Sequence, residues 1–215
     1  MTMKQHVVTW TMLVGLLGCE SEQNATAATT VETETGSLPA AAAASVEQTR
    51  EPTPLEVIQT KVTLTGAIEY ARPLMSDTVD EASPGALLLA LWSARKLTWP
   101  ELAVSKNETS FARVRKDSDA ERGKRMCVKG RIIQITKDAT AGETMFIGLM
   151  LLGYTEIARF YAVGDTGDLV DNSRARFCGV VTGTYDYANS AGGTGHAVSL
   201  VGMFDLPGNH DRITR

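Results

Sequence analysis

Residues 116–135 read KDSDAERGKRMCVKGRIIQI, and this stretch decides the fold because the periodicity of the chain changes within it. Before it lies a predicted helix, about Glu108 to Lys116, with Phe111 and Val114 on one side. From Arg125 onward apolar and polar residues alternate, which is typical of a half-buried β-strand. Similar runs follow, so the sequence predicts strands at 125–136, 144–151, 155–163, 175–187 and 196–205.

Turn-forming segments separate these runs, at 140–142, Gly153, 164–168 and 189–195. Five short strands separated in this way suggest a small barrel. Gly130, Gly179 and Gly183 lie within strands, where a tightly coiled barrel strand needs bends or bulges. The predicted fold class is therefore mostly β (α+β).

The stretch 116–135 resembles the start of the OB-fold-like (tRNA-anti-like) domains of bacterial lipoproteins and exported proteins. In these domains a helix leads through a Gly-Lys turn into a first strand that contains a glycine. Residues 173–187 and the glycine-rich loop and apolar strand after them resemble the fourth and fifth strands. The resemblance covers roughly 111–206 and implies a five-stranded OB-like barrel at 108–207. Only 166–172 is available for the helix that usually joins strands three and four, so that helix is one turn long or absent.

A small helical element at 54–107 is predicted to precede the barrel. Thr53, Pro54 and Glu56 form a helix start, with an N-cap, a proline at the first position and a capping box. Residues 58–70 are rich in β-branched side chains and fit either a strand or a poor helix. Ser83-Pro84 opens a clear helix from Gly85 to Lys96, and a short turn begins at Pro100.

The N-terminus resembles a bacterial lipoprotein signal. Leu16-Leu17-Gly18-Cys19 closes an apolar run that is too short to span a bilayer. The resemblance implies that 1–18 is a signal peptide and that lipidation of Cys19 anchors the chain to a membrane. Glu20 stands where an Asp would signal inner-membrane retention, which favours the outer membrane of a Gram-negative bacterium, facing the periplasm or the surface.

Residues 19–53 carry almost no large apolar side chains. Such a segment cannot bury enough surface to offset the entropy cost of ordering. The sequence therefore predicts a disordered linker, or stalk, between the anchor and the folded region, and a short C-terminal tail at 208–215.

The lipoprotein resemblance leaves two cysteines, Cys127 and Cys178, in an oxidising compartment. This favours a disulfide, with two separate buried thiols as the alternative. In the OB-like topology the first and fourth strands are antiparallel neighbours. Both cysteines lie early in their strands, so a bridge requires a shifted register or a bulge to bring them together.

Few residues carry recognisable chemistry. The sequence predicts no catalytic residue, no metal site and no cofactor. His196 could act as a base with Asp186 or Ser190, but a hydrogen-bonded or solvated histidine is the simpler interpretation. The acidic segment 164–172 is interpreted as a turn, because the order of ligands in a calcium loop is missing.

The formal net charge of −4 and the implied export argue against nucleic acid as a partner. The basic run between Arg113 and Arg131 is interrupted by acidic residues. It favours a solvated face or attraction to anionic headgroups.

The sequence as a whole predicts a lipid-anchored cell-envelope protein that acts as a binding or interaction module for an envelope protein or a small ligand. The first alternative is an envelope enzyme or small-ligand sensor that uses the 189–196 loop, and the second is a purely structural tether. The predicted ligand-facing residues are Phe160, Tyr185, Tyr187 and His196.

Overall fold

The computed structural model describes residues 50–189 and 192–212, which form a mixed α and β fold dominated by one six-stranded sheet. The predicted signal peptide, Cys19 and the linker up to residue 49 lie outside the described residues. The strands are β1 (Thr78–Val79), β2 (Arg125–Thr140), β3 (Glu143–Leu151), β4 (Ile157–Ala162), β5 (Arg174–Ala188) and β6 (Thr194–Phe204). The helices are α1 (Pro54–Gln59), α2 (Leu64–Ala71), α3 (Pro84–Lys96), α4 (Trp99–Leu102), α5 (Phe111–Lys116), α6 (Ser118–Glu121) and α7 (Pro207–His210).

Five of the strands form a closed ring. Its order is β5-β2-β3-β4-β6, and β6 pairs again with β5. Only the β4–β6 pair is parallel within this ring. The short strand β1 lies outside the ring, where it pairs with β5 in parallel. The five strands predicted from periodicity are confirmed, and their predicted ends agree with the observed ends to within four residues.

Each of the two longest ring strands contains one bulge. The register of β2 against β3 shifts between Ile132 and Gln134, and that of β5 against β6 shifts between Val181 and Gly183. Gly183 has φ +140°, a conformation that other residues rarely adopt. The bulge predicted at Gly183 is therefore confirmed, whereas Gly130 lies within regular pairing against Ala175.

Side chains alternate between two apolar clusters along the strands. The interior cluster fills the ring, and at its centre Phe160, Phe177 and Phe204 pack with ring centroids 5.1–5.6 Å apart. The outer cluster lies between the ring and α1–α3, and it contains the fully buried Trp92 together with Tyr161 and Val201. The ring is thus packed on both faces, but helices cover only part of its outer face.

The N-terminal helices begin where the local sequence predicts. Thr53 caps α1 through a complete capping box with Glu56. The strand alternative for 58–70 is wrong, because Thr63 accepts a hydrogen bond from the Gly66 amide and starts α2. Leu64, Ala67 and Ala71 then face the core at helical spacing. The apparent alternation in this segment arises because it spans two short helices and the turn between them.

A helix before the ring covers its interior. Phe111 and Val114 of α5 pack against the interior cluster, and Val114 is fully buried. The described chain contains no helix between β4 and β5, as the shortness of that connection predicts.

The start of the predicted C-terminal tail is held against the ring. The buried Asn209 in α7 donates hydrogen bonds to the carbonyl oxygens of Asp165 and Phe204, both 2.8 Å long. It also accepts one from the Asp165 amide at 2.7 Å. The chain is therefore ordered at least through this helix.

Cys127 and Cys178 lie directly opposite each other on β2 and β5 and form a disulfide, with their Cα atoms 4.0 Å apart. The favoured disulfide is confirmed, and the expectation that it requires a shifted register or a bulge between these strands is wrong. The two strands pair only through 125–131 and 174–180, which is the first half of each. Beyond this segment β2 continues against β3, and β5 continues against β6, with which it already pairs from Phe177. Two positions that are early in their strands are therefore neighbours.

Removing this disulfide should destabilise the protein strongly. The bond closes a loop with a sequence separation of 51 residues, for which the chain-entropy relation gives about 4 kcal/mol. We expect a Cys127→Ser/Cys178→Ala variant to lose free energy of unfolding of this order in urea denaturation. Wild type in reductant should match the variant, and equal stability of oxidised wild type and variant would contradict the assignment.

Candidate ligand-binding surface

A stack of planar side chains lies on the outer face of the ring beside the helices. Arg159 of β4 lies between two tyrosines, with its guanidinium carbon 3.8 Å from the ring centroid of Tyr185 and 5.1 Å from that of Tyr161. Its Nη1 donates a 2.7 Å hydrogen bond to the carbonyl oxygen of Glu81. Both contacts are favourable cation–π geometries, and the hydrogen bond fixes the guanidinium between the rings.

Tyr187 extends this stack. Its ring lies 5.8 Å from that of Tyr185 at an interplanar angle of 13°. On the opposite strand Gly195 leaves room for the ring, since a Cβ there would lie 2.3 Å from Tyr187 Cζ. Because residue 195 is a glycine, the ring of Tyr187 can lie flat on β6. We call Arg159, Tyr161, Tyr185 and Tyr187 the Tyr–Arg stack.

A shallow hollow of about 290 Å³ opens beside the Tyr–Arg stack. It draws both polar and apolar residues from four ring strands. Its lining is Gln134, Thr136, Ile147, Gly148, Leu149, Arg159 and Tyr185. Ligand pockets are typically 300–1,000 Å³. This hollow therefore has room for one small ring or one side chain, held by stacking and by the amide and hydroxyl groups.

Tyr161 is the buried base of the stack. It is 1% exposed, and burial raises the pKa of its phenol to about 12. The ring is thus neutral at any physiological pH. It supplies a fixed uncharged surface under Arg159, while Tyr185 and Tyr187 remain partly exposed.

Phe160 does not belong to this surface. It is 1% exposed and lies in the aromatic centre of the interior cluster. Because successive residues of a strand point to opposite faces, Phe160 faces inward where Arg159 and Tyr161 face outward. This corrects the expectation that Phe160 faces a ligand.

His196 lies on the other face of the hairpin from the two tyrosines. It is paired with Asp186, and its Nδ1 lies 2.6 Å from the carboxylate oxygen. Asp186 stands between Tyr185 and Tyr187 in the strand and so points away from them. Of the four predicted ligand-facing residues, the structure brings together only the two tyrosines. Ser190 lies outside the described residues.

Much of the basic run is neutralised by carboxylates. Arg113 and Lys124 lie 3.0 and 2.9 Å from Oε1 of Glu121. The Lys124 ammonium group holds the pKa of Glu121 at about 2. Arg125 makes a 2.5 Å ion pair with Glu108. These cations stabilise the connection between α5 and the ring, and they are not available as one continuous charged surface.

The acidic segment after β4 is an ordered turn. Asp165 accepts a hydrogen bond from the Gly167 amide at 2.8 Å, and Asp171 accepts one from the Ile135 amide at 2.9 Å. Within residues 50–189 and 192–212, no group of three or more His, Cys, Asp or Glu side chains is placed to hold a metal ion. Among the helices in these ranges, none is long and apolar enough to cross a membrane.

No protein-family model matches this chain, and no curated protein matches it. Its own geometry is therefore the basis for assigning a function.

Arg159 is a functional candidate that was not predicted from the sequence. The signal was available in the strand IARFYA, residues 157–162, where Arg159 and Tyr161 share one face by alternation. Gln134 and Thr136 carried no comparable signal. Their approach to Tyr185 depends on how the ring closes, which periodicity does not reveal.

Alanine substitution of a buried aromatic residue should lower the free energy of unfolding more than substitution of a partly exposed one. Phe160→Ala removes a buried ring and should cost about 3–5 kcal/mol of unfolding free energy. Tyr185→Ala removes a partly exposed ring and should cost about 1 kcal/mol. Equilibrium denaturation of both variants measures this. A cost for Tyr185→Ala equal to that for Phe160→Ala would contradict the division between surface and core.

Proposed function

We propose that this protein is a lipid-anchored binding module of the cell envelope, built on an OB-like barrel, whose ligand occupies the hollow beside the Tyr–Arg stack. No catalytic step is assigned to it. The partner is an envelope protein or a small ligand that presents one ring or planar group. The single observation that carries the proposal is the hollow, in which a fixed guanidinium and a partly exposed aromatic ring meet polar and apolar side chains.

The ring topology supports the OB-like interpretation. The first ring strand, β2, pairs with the second, β3, and with the fourth, β5. The third, β4, pairs with the fifth, β6. The OB-like topology implied by the sequence resemblance includes this pairing of the first strand with the fourth. Five-stranded OB folds bind ligands on one face of the barrel.

The packed interior supports binding on the outside of the ring. The aromatic centre formed by Phe160, Phe177 and Phe204 leaves the ring filled by protein side chains. On the outer face, α1–α3 cover the end that carries Met145 and Val201. The Tyr–Arg stack lies at the limit of this covered region and keeps two partly exposed rings.

Stacking favours a ligand with a flat face. Tyr185 and Tyr187 are already parallel to each other, and Arg159 already lies over Tyr185. A preorganised surface loses little side-chain entropy when a ligand binds. Gln134 and Thr136 at the rim can donate or accept hydrogen bonds and would orient the ligand. A sugar ring or an exposed aromatic side chain has this combination of a flat face and polar substituents.

The proposed anchor is tested by the mature N-terminus. If Cys19 is lipidated, mass spectrometry of protein from membranes should find a chain that begins at Cys19 and carries acyl groups. Cys19→Ser should release the protein into the soluble fraction, because stable anchoring requires more than one acyl chain. An unmodified peptide that runs through Cys19 would contradict the anchor without affecting the proposed binding surface.

The proposed binding surface is tested by photocrosslinking in intact envelopes. A photoreactive amino acid at Gln134, in the hollow, should give discrete adducts. The same amino acid at Tyr154, which is fully exposed and outside the hollow, is the matched control. Adding Arg159→Gln or Tyr185→Ala should remove the adducts formed at position 134. Identical adducts at both positions, or none at 134, would overturn the proposal.

A further inference from the structure

A second cavity, of about 620 Å³, lies where β2, β3 and β5 meet. Four of its lining side chains are cations, and none of its lining residues is acidic. The lining is Lys129, Gly130, Arg131, Leu151, Leu152, Gly153, Arg174, Ala175 and Arg176. We call this cavity the cationic cleft. It shares no residue with the hollow beside the Tyr–Arg stack.

The four cations form two cross-strand pairs of like charge. Lys129 lies directly opposite Arg176, and Arg131 lies directly opposite Arg174. Like charges in directly opposed positions repel and destabilise a sheet. Two pairs of like charge on the same face therefore destabilise the sheet at this place. Departures from such sequence rules are expected at functional sites.

Two of these cations are held in place by neutral or acidic partners. Nη1 of Arg131 donates a 2.6 Å hydrogen bond to Oδ1 of Asn172. Arg176 makes a 2.6 Å ion pair with Asp205. These contacts orient the two guanidinium groups, and the single carboxylate leaves the group of four with a charge excess of three positive charges.

The other two cations are free to receive a ligand. Lys129 and Arg174 are exposed, and no ion pair or hydrogen bond joins their side chains to another residue in the described ranges. The disulfide between Cys127 and Cys178 stands next to them and holds the two strands together despite the repulsion. Leu151 and Leu152 add an apolar wall.

We propose that the cationic cleft binds a phosphate group. Lys129 and Arg174 supply the charge-assisted hydrogen bonds, and Arg131 and Arg176 supply fixed positive charge beside them. A phosphate oxyanion relieves both cross-strand repulsions at once, which is the stabilisation that the unliganded site lacks. Arginine is suited to this role because its planar fork binds two oxygens together.

Inorganic phosphate and vesicles test the proposal and distinguish its two sources, free phosphate and the headgroup of an anionic lipid. The protein is the full chain with Cys19→Ser, so that acylation does not cause vesicle binding. Calorimetry at low salt measures binding of inorganic phosphate. Cosedimentation measures binding to phosphatidylglycerol vesicles, with phosphatidylcholine vesicles as the uncharged control.

The double variant Lys129→Gln/Arg174→Gln should weaken binding at least tenfold, since it removes two charge-assisted hydrogen bonds. Lys106→Gln/Lys137→Gln is the matched control, because it removes two exposed positive charges outside the cleft. The control should change the affinity by less than twofold. Equal losses in the two variants would mean that only net charge matters and would overturn the proposal.

Thermal unfolding separates a binding role from a structural one. Without phosphate, the Lys129→Gln/Arg174→Gln variant should unfold about 1–3 °C higher than the parent, because two repulsions are removed. With phosphate, only the parent should gain stability. A lower melting temperature for the variant without phosphate would show that the cations stabilise the fold and would overturn the proposal.

Binding to inorganic phosphate and binding to phosphatidylglycerol vesicles together identify the source of the phosphate group. Binding to both probes, lost in the cleft variant, supports recognition of phosphate from either source. Binding to inorganic phosphate alone supports a soluble phosphate ligand, and binding to phosphatidylglycerol vesicles alone supports a lipid headgroup. Binding to neither probe overturns the proposal, and it leaves the separate hollow beside the Tyr–Arg stack unaffected.

Discussion

The register between β2 and β5 is the constraint on which the rest of the structure depends. These strands pair only through 125–131 and 174–180, and the disulfide between Cys127 and Cys178 fixes that pairing covalently. Beyond it, β2 continues against β3 and β5 continues against β6. The ring closes because β5 pairs with β2 on one edge and with β6 on the other, and the same register sets which side chains fill its interior and which face outward.

Closure of the ring explains why the two candidate sites lie outside it. The interior is occupied by packed side chains, with α5 adding Phe111 and Val114. The outer face is covered by α1–α3 only in part. Apart from the buried Tyr161, the Tyr–Arg stack and the cationic cleft use uncovered residues that alternate with interior ones, so the strands that build the core also position both surfaces. The two surfaces differ in chemistry, since one presents flat rings and the other presents excess positive charge.

Local signals in the sequence predicted most elements of the described fold. The alternation after Arg125 located the five ring strands, and Thr53 and Ser83 marked helix starts that the structure confirms. Local sequence patterns did not decide the secondary structure where they fitted a strand and a helix equally well. Residues 58–70 fit a strand by alternation and by their β-branched side chains, and they also fit a poor helix. The cap at Thr63 together with packing in the outer cluster favoured two short helices.

The sequence by itself determined the positions of the strands, the caps of the main helices and the pair of cysteines able to form a bridge. Only the tertiary structure decided that Phe160 is buried, that Arg159 lies between two tyrosines, and that Arg131 faces Arg174. The physical reason is register. Side chains alternate with a period of two along any strand, but the residue opposite each of them depends on which strands pair and where they bulge. The pairing of the strands and the positions of the bulges depend on packing across the whole ring.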